Sequence, residues 1–149
     1  MNAVIDTSVP ASPESVPAVR RDVVAAYEQG GGDPLLSADV ALAVTEAAAN
    51  AIRHAYPQRG DGRITVRGWF EDGLFIVQVL DRGVGIDTPT RDPGAHLGIA
   101  LIEQLADAQF ALREGGGTEA RLAFPLVADA WPAQRTAPLP AFAALQLAG

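Results

Sequence analysis

The stretch Val44-Thr45-Glu46-Ala47-Ala48-Ala49-Asn50-Ala51-Ile52-Arg53-His54-Ala55 decides how this chain is read. Glu46, Asn50 and His54 recur at steps of four. On a helix they lie along one side, drifting by about 40° per step. The residues between Glu46 and Asn50 are all Ala, so a bulky group can approach. A carboxylate one turn from an amide oxygen suits Mg²⁺, a hard cation that keeps waters and takes few protein oxygens. Taken alone, the same stretch reads first as a solvated polar stripe on an amphipathic helix.

On the N-terminal side, Ser37 is the expected N-cap of this helix, which Pro57 stops. Leu42, Thr45, Ala49 and Ile52 fall on one of its faces. An earlier helix is expected from Pro13. Its stripe is Val16, Val19, Val23 and Tyr27, and Gly30-Gly31-Gly32 ends it. Residues 1–12 form an extension, frayed or an edge strand. On the C-terminal side, Gly60-Asp61-Gly62 marks a turn. Ile64, Val66 and Gly68 then alternate with Thr65, Arg67 and Trp69, as in a strand. Glu71-Asp72-Gly73 signals a hairpin into the β-rich run Leu74–Leu80. Asp81–Gly98 is expected as loop and Leu97–Ala106 as helix. Phe110–Arg113 and Glu119–Phe124 read as a last hairpin. The domain is expected over residues 13–127. Residues 128–149 form an Ala/Pro-rich tail with a short helix near Phe142–Leu147. The order of elements implies an α+β two-layer sandwich.

Three further places combine glycine with groups that bind. Asp81-Arg82-Gly83-Val84-Gly85-Ile86 follows an apolar strand, and its glycines allow a sharp turn beside a carboxylate. That carboxylate could accept from an exocyclic amine such as adenine N6; an ordinary turn is the equal alternative. Gly94-Ala95-His96-Leu97-Gly98 runs into a helix, where unpaired N–H groups and the positive end of the dipole favour phosphate. The plain alternative is a loop that needs glycine to enter the helix. Gly115-Gly116-Gly117-Thr118 reads first as a hairpin turn.

Composition narrows the chemistry. The 149 residues carry a net charge of −7, with 48% hydrophobic and 19% charged residues, which suits one folded domain. Without cysteine there is no disulfide, thiolate or zinc–cysteine chemistry. All 11 basic residues are Arg, so Schiff-base chemistry and a lysine-dependent P-loop are excluded. The acidic balance argues against nucleic acid and anionic membrane as ligands. No targeting signal is read at the N-terminus, and no apolar stretch is read as reaching the roughly 18 residues of a membrane span. The expectation is a soluble cytoplasmic protein.

In order, the motifs are Glu-x-x-x-Asn on a helix, strand–Asp-x-Gly-x-Gly, Gly-x-x-x-Gly–helix, and Gly-Thr before a strand. This order resembles the GHKL ATPase superfamily, which includes gyrase and the histidine kinases. Within it, the chain is most similar to single-domain serine kinases that act as bacterial anti-sigma factors. The likeness runs from about Pro13 to Phe124. Val44–Ala55 is close to the family's N-box, and Asp81–Ile86 is a complete G1 box.

The resemblance implies a Bergerat-type ATP-binding fold: a mixed sheet covered by helices on one face. It implies ATP and Mg²⁺ as ligands, with Asn50 on the Mg²⁺ and Glu46 as general base or as the group that orients the attacking hydroxyl. Arg53 stands where a basic residue lies near the phosphates. Asp81 would accept from adenine N6, and Gly83, Gly85 and Ile86 would form the adenine-side turn. Gly94, Leu97 and Gly98 would belong to the phosphate loop. His96 departs from the family's Gly-x-Gly-x-Gly at its middle position; it is either a surface lid residue, the preferred reading, or a phosphate donor. Thr118 would support the adenine end through its hydroxyl. The implied partners are a sigma factor and an anti-sigma-factor antagonist, with a homodimer as the implied assembly.

Three functions follow. The first is an anti-sigma serine/threonine kinase that phosphorylates the antagonist. The second is a non-catalytic ATP-binding module that sequesters a partner. The third is the catalytic half of a split histidine kinase; only about 36 residues precede the N-box helix, too few for a phosphoacceptor hairpin.

Overall fold

Val16, Val19, Val23 and Tyr27 are all buried, and the stripe they form lays helix α1 (Val16–Gln29) on the core. The computed structural model describes residues 2–55, 62–82, 93–113 and 116–130. In chain order the other elements are β1 (Ile5–Pro10), α2 (Ser37–Ala55), β2 (Arg63–Glu71), β3 (Leu74–Asp81), α3 (Pro93–Leu105), β4 (Asp107–Leu112) and β5 (Thr118–Pro125); α1 lies between β1 and α2. The strands form one sheet in the order β1-β2-β3-β5-β4. Helix α2 packs against α1, α3 and strands β2, β3 and β5. Ile64, Val66, Phe75, Val77, Val79, Leu122 and Phe124 face that layer and form the main core with the helices. The α+β two-layer sandwich is therefore present.

The expected mixture of parallel and antiparallel pairs is not: all four described pairings are antiparallel. The reason lies in the crossover. Helix α3 returns the chain parallel to β3, but β4 lands one strand's width away. β5 then turns back into that slot and pairs antiparallel with both neighbours.

Local rules explain the hairpins and fail at two helix starts. Asp72 (φ 52°) and Gly73 (φ 76°) both take the left-handed region, which makes the two-residue turn whose twist suits adjoining strands. β1 is the expected edge strand, with Ile5, Thr7 and Val9 turned inward. Ser37, however, has helical angles and donates to Glu28 Oε1 at 2.6 Å. The capping carboxylate is Asp33, which accepts from Leu35 N–H at 3.0 Å and begins a 3₁₀ turn over Pro34–Leu36 that runs into α2. Helix α3 begins at Pro93, four residues before the expected Leu97. Proline has its φ set for a first helical position and loses no needed N–H there.

The face of α2 that reaches the core is also not the one picked out by Leu42, Thr45, Ala49 and Ile52. Val40, Ala43, Val44, Ala47, Ala48 and Ala51 are buried, whereas Leu42 is 41% exposed. Small alanines let the helix approach closely, so they win over the larger Leu42. The stretch Pro34–Arg53 is long and apolar enough to cross a membrane by length and composition, contrary to the sequence expectation. Its apolarity is accounted for by the core that this helix builds.

Tyr27 ties α1 to the end of the sheet. Its ring is fully buried, 5.6 Å from that of Phe75, and its hydroxyl donates to Pro125 O at 2.9 Å. Burial pushes the hydroxyl from 10 up to about 12; a backbone hydrogen bond from Asp33 opposes this, and the carboxylates of Asp33 and Asp39 add to it. A raised tyrosine pKa means that the unfolded chain loses its proton first. The stability is whole below pH 10 and falls as pH rises through about 12. Tyr27→Phe should cost about 1 kcal/mol at neutral pH. It should also flatten the stability curve across that alkaline window, as urea melts at stepped pH would read.

Candidate functional site

Helix α2 lies over β3 and β5, the two central strands that end and begin at Asp81 and Thr118. Glu46 and Asn50 are half-buried at the border of its core arc, and Arg53 is exposed. The Oδ1 atom of Asn50 is buried and makes no hydrogen bond. An unsatisfied buried acceptor costs about 1–3 kcal/mol, so it calls for a donor or a cation. No group of three or more His, Cys, Asp and Glu is assembled among the described residues. A cation at Asn50 would thus be held by few protein oxygens and complete its shell with water or phosphate, which fits Mg²⁺.

Among the described residues, Asp81 is the only polar or charged one that is buried, at 3% exposure. It shares the sheet face of Phe75, Val77 and Val79, on the helix side. Its carboxylate is held at both oxygens by one residue. Thr118 N–H donates to Oδ1 at 3.1 Å, and Thr118 Oγ1 donates to Oδ2. Two donors on a buried carboxylate fix its plane before any ligand arrives. The hydroxyl of Thr118 therefore acts on Asp81.

Two residues of this clamp escaped the sequence reading. Arg113 Nη1 donates to Asp81 O at 2.8 Å, and Arg113 N–H donates to Gly117 O at 2.9 Å, closing the β4–β5 hairpin against the end of β3. Gly117 has φ 92°, and a Cβ there would run into the Asp81 carbonyl. Gly116 and Gly117 turn the chain from β4 into β5, with Gly115 outside the described residues, and Gly117 is also where two backbones meet. A glycine directly before Thr118 was the available signal. Gly117→Ala should lower stability by about 2 kcal/mol or more and displace Thr118 from Asp81. Thermal melts and the Thr118 amide resonance would show it.

Gly83, Gly85 and Ile86 lie outside the described residues. Gly94, His96, Leu97 and Gly98 fall within α3, in its first two turns and not in a loop before it. His54 is likewise on α2. The structure thus brings Asp81 and Thr118 into contact and sets Glu46 and Asn50 on the helix above their strands.

Comparison with known proteins gives concordant results. The profile of the histidine kinase-like ATPase domain matches residues 9–124. Serine-protein kinase RsbW of Bacillus subtilis is 32% identical over 111 residues, covering 72% of this chain and 69% of that protein. Serine-protein kinase RsbW of Listeria monocytogenes is 31% identical over 122 residues, covering 72% of this chain and 78% of its own. A crystal structure of the RsbU and RsbW domains of a Mycobacterium tuberculosis protein aligns with a TM-score of 0.63 at 24% identity. That alignment covers 85% of this chain and 32% of the longer one, and it speaks for the fold.

Proposed function

Because the chain belongs to the histidine kinase-like ATPase domain family, we propose that it is a serine/threonine protein kinase acting as an anti-sigma factor. It transfers the γ-phosphoryl group of Mg-ATP to an anti-sigma-factor antagonist and separately binds a sigma factor. The observation that carries this reading is the buried, unpartnered Asn50 Oδ1 one turn from Glu46.

In this reading Asp81 accepts from adenine N6, its carboxylate already oriented by Thr118. Asn50 Oδ1 holds Mg²⁺, which when bound neutralises charge on the phosphates. Glu46 takes the proton of the partner's serine hydroxyl as that oxygen bonds to the γ-phosphorus. The bond from γ-phosphorus to the bridging oxygen breaks, and ADP leaves. Catalysis rests on positioning and charge neutralisation, as in phosphoryl transfer generally. In the same reading Arg53, exposed near the end of α2, meets phosphate or partner. The net charge of −7 favours a basic surface on a partner, so binding should weaken with salt.

The test is labelled ATP with Mg²⁺ and candidate antagonists. Acid-stable label on a partner serine supports the proposal. Acid-labile label would indicate a histidine kinase, and tight ATP binding without transfer a sequestering module.

A further inference from the structure

The antiparallel ladder between β3 and β5 ends at the pair Leu80–Glu119. One step on, Thr118 faces Asp81, and the pairing changes. In a regular ladder a strand's N–H serves the backbone carbonyl opposite it. Here the Thr118 N–H donates instead to the Asp81 side chain, at Oδ1 and 3.1 Å. The Asp81 carbonyl takes its hydrogen bond from Arg113 Nη1, at 2.8 Å. One side chain has captured the backbone donor, and another has filled the place it left. The two hydrogen bonds depend on each other, because a carbonyl that loses its donor competes for the nearest N–H.

Arg113 is held for this task. It follows directly on β4, and β5 lies between β4 and β3. Those two strands are two spacings apart, about 10 Å, so a short side chain does not reach across. The Arg113 backbone is tied into the hairpin first: its N–H donates to Gly117 O at 2.9 Å, and its carbonyl accepts from Gly116 N–H at 3.1 Å. The side chain then ends on the same Asp81 carbonyl that a Cβ at Gly117 would run into, so glycine there keeps the path open. The guanidinium forms no ion pair among the described residues, and its charge is directed at a neutral oxygen. A charged donor makes the stronger hydrogen bond.

We propose that Arg113 is a positioning residue for base recognition. By satisfying the Asp81 carbonyl it reserves the Thr118 N–H for the carboxylate, and so fixes the preference for a purine nucleotide that carries a 6-amino group. This rests on the reading above, in which that carboxylate accepts from adenine N6. Without Arg113, the Asp81 carbonyl draws the Thr118 N–H back into regular pairing. The carboxylate then keeps its contact with Thr118 Oγ1 and loses the one that fixes its plane.

Inosine triphosphate separates this role from a structural one, because it carries a carbonyl oxygen where adenine carries the amine. Calorimetric titrations with Mg²⁺ and each nucleotide compare the parent chain with Arg113→Met, which keeps much of the bulk and removes the donors. Arg113→Met should raise the dissociation constant for ATP about tenfold and move that for inosine triphosphate by less than about twofold. Arg113→Lys keeps a donor of similar reach and should retain part of the preference with an unchanged melting temperature. In an Asp81→Asn background, Arg113→Met should add little further loss, since the two act through one contact. Equal losses for both nucleotides overturn the inference and make Arg113 a brace for the hairpin. So do losses that add in full in the double variant. A parent chain that binds both nucleotides alike overturns the adenine reading itself. A parent that discriminates, beside an Arg113→Met that still does, overturns the Arg113 role alone.

Discussion

Asp81→Asn should raise the dissociation constant for ATP by roughly 10- to 100-fold while leaving a folded protein, as calorimetric titration and circular dichroism would report. The carboxylate accepts from Thr118 at both oxygens inside the core. An amide keeps one acceptor and sets an NH₂ group against a donor. Thr118 Oγ1 can rotate to accept, but the Thr118 N–H cannot, so one orientation of the new side chain keeps both contacts and the other sets two donors face to face. Water does not rescue it at 3% exposure. The binding surface offered to an exocyclic amine is lost along with the charge. Thr118→Val is the matched control: it keeps the N–H contact, removes only the hydroxyl, and should cost about tenfold. Unchanged affinity in Asp81→Asn would sink the adenine-side assignment.

The second large effect is expected on α2. Glu46→Ala should slow phosphoryl transfer by about 10²- to 10⁴-fold with ATP affinity retained, since it removes a proton acceptor and not a contact to nucleotide. Asn50→Ala should behave differently. Alanine suits a helix interior, and the change deletes a buried acceptor that has no donor. The variant should therefore melt at the same temperature or higher while Mg²⁺-dependent ATP binding fails. A gain in stability with a loss of function is the mark of a group kept for its ligand. Equal transfer by Glu46→Ala would refute the base assignment, and a marked loss of stability in Asn50→Ala would make that residue structural.

What was readable in the sequence was governed by neighbours along the chain. The 3-and-4 stripe of α1, the Asp72-Gly73 turn and the apolar strand ending at Asp81 all follow from short-range geometry. So does the helix that carries Glu46 and Asn50. What was not readable depends on distant segments. The slot beside β3 is filled antiparallel because β4 lands one strand away, which no local pattern states. The core face of α2 is its alanine face because the sheet and two helices crowd it. Arg113 and Gly117 matter only because the β4–β5 hairpin meets the end of β3. Local rules also misfired where two signals competed: Asp33 took the capping role from Ser37, and Pro93 started α3 ahead of its glycines.

The position of β5 has a consequence for how the protein is made. The last strand of the sheet in sequence sits in a central place, between β3 and β4. Until it lodges there, the edge of β3 with Phe75, Val77 and Val79 is unpaired, which is the kind of edge that recruits other chains. The same strand brings Thr118 to Asp81, so the carboxylate proposed to face adenine is set in place only when the sheet closes. A ligand that needs that carboxylate binds the closed form alone and holds it shut. ATP supplied during refolding should therefore suppress aggregation, acting as a chaperone for the strand that completes its own binding site.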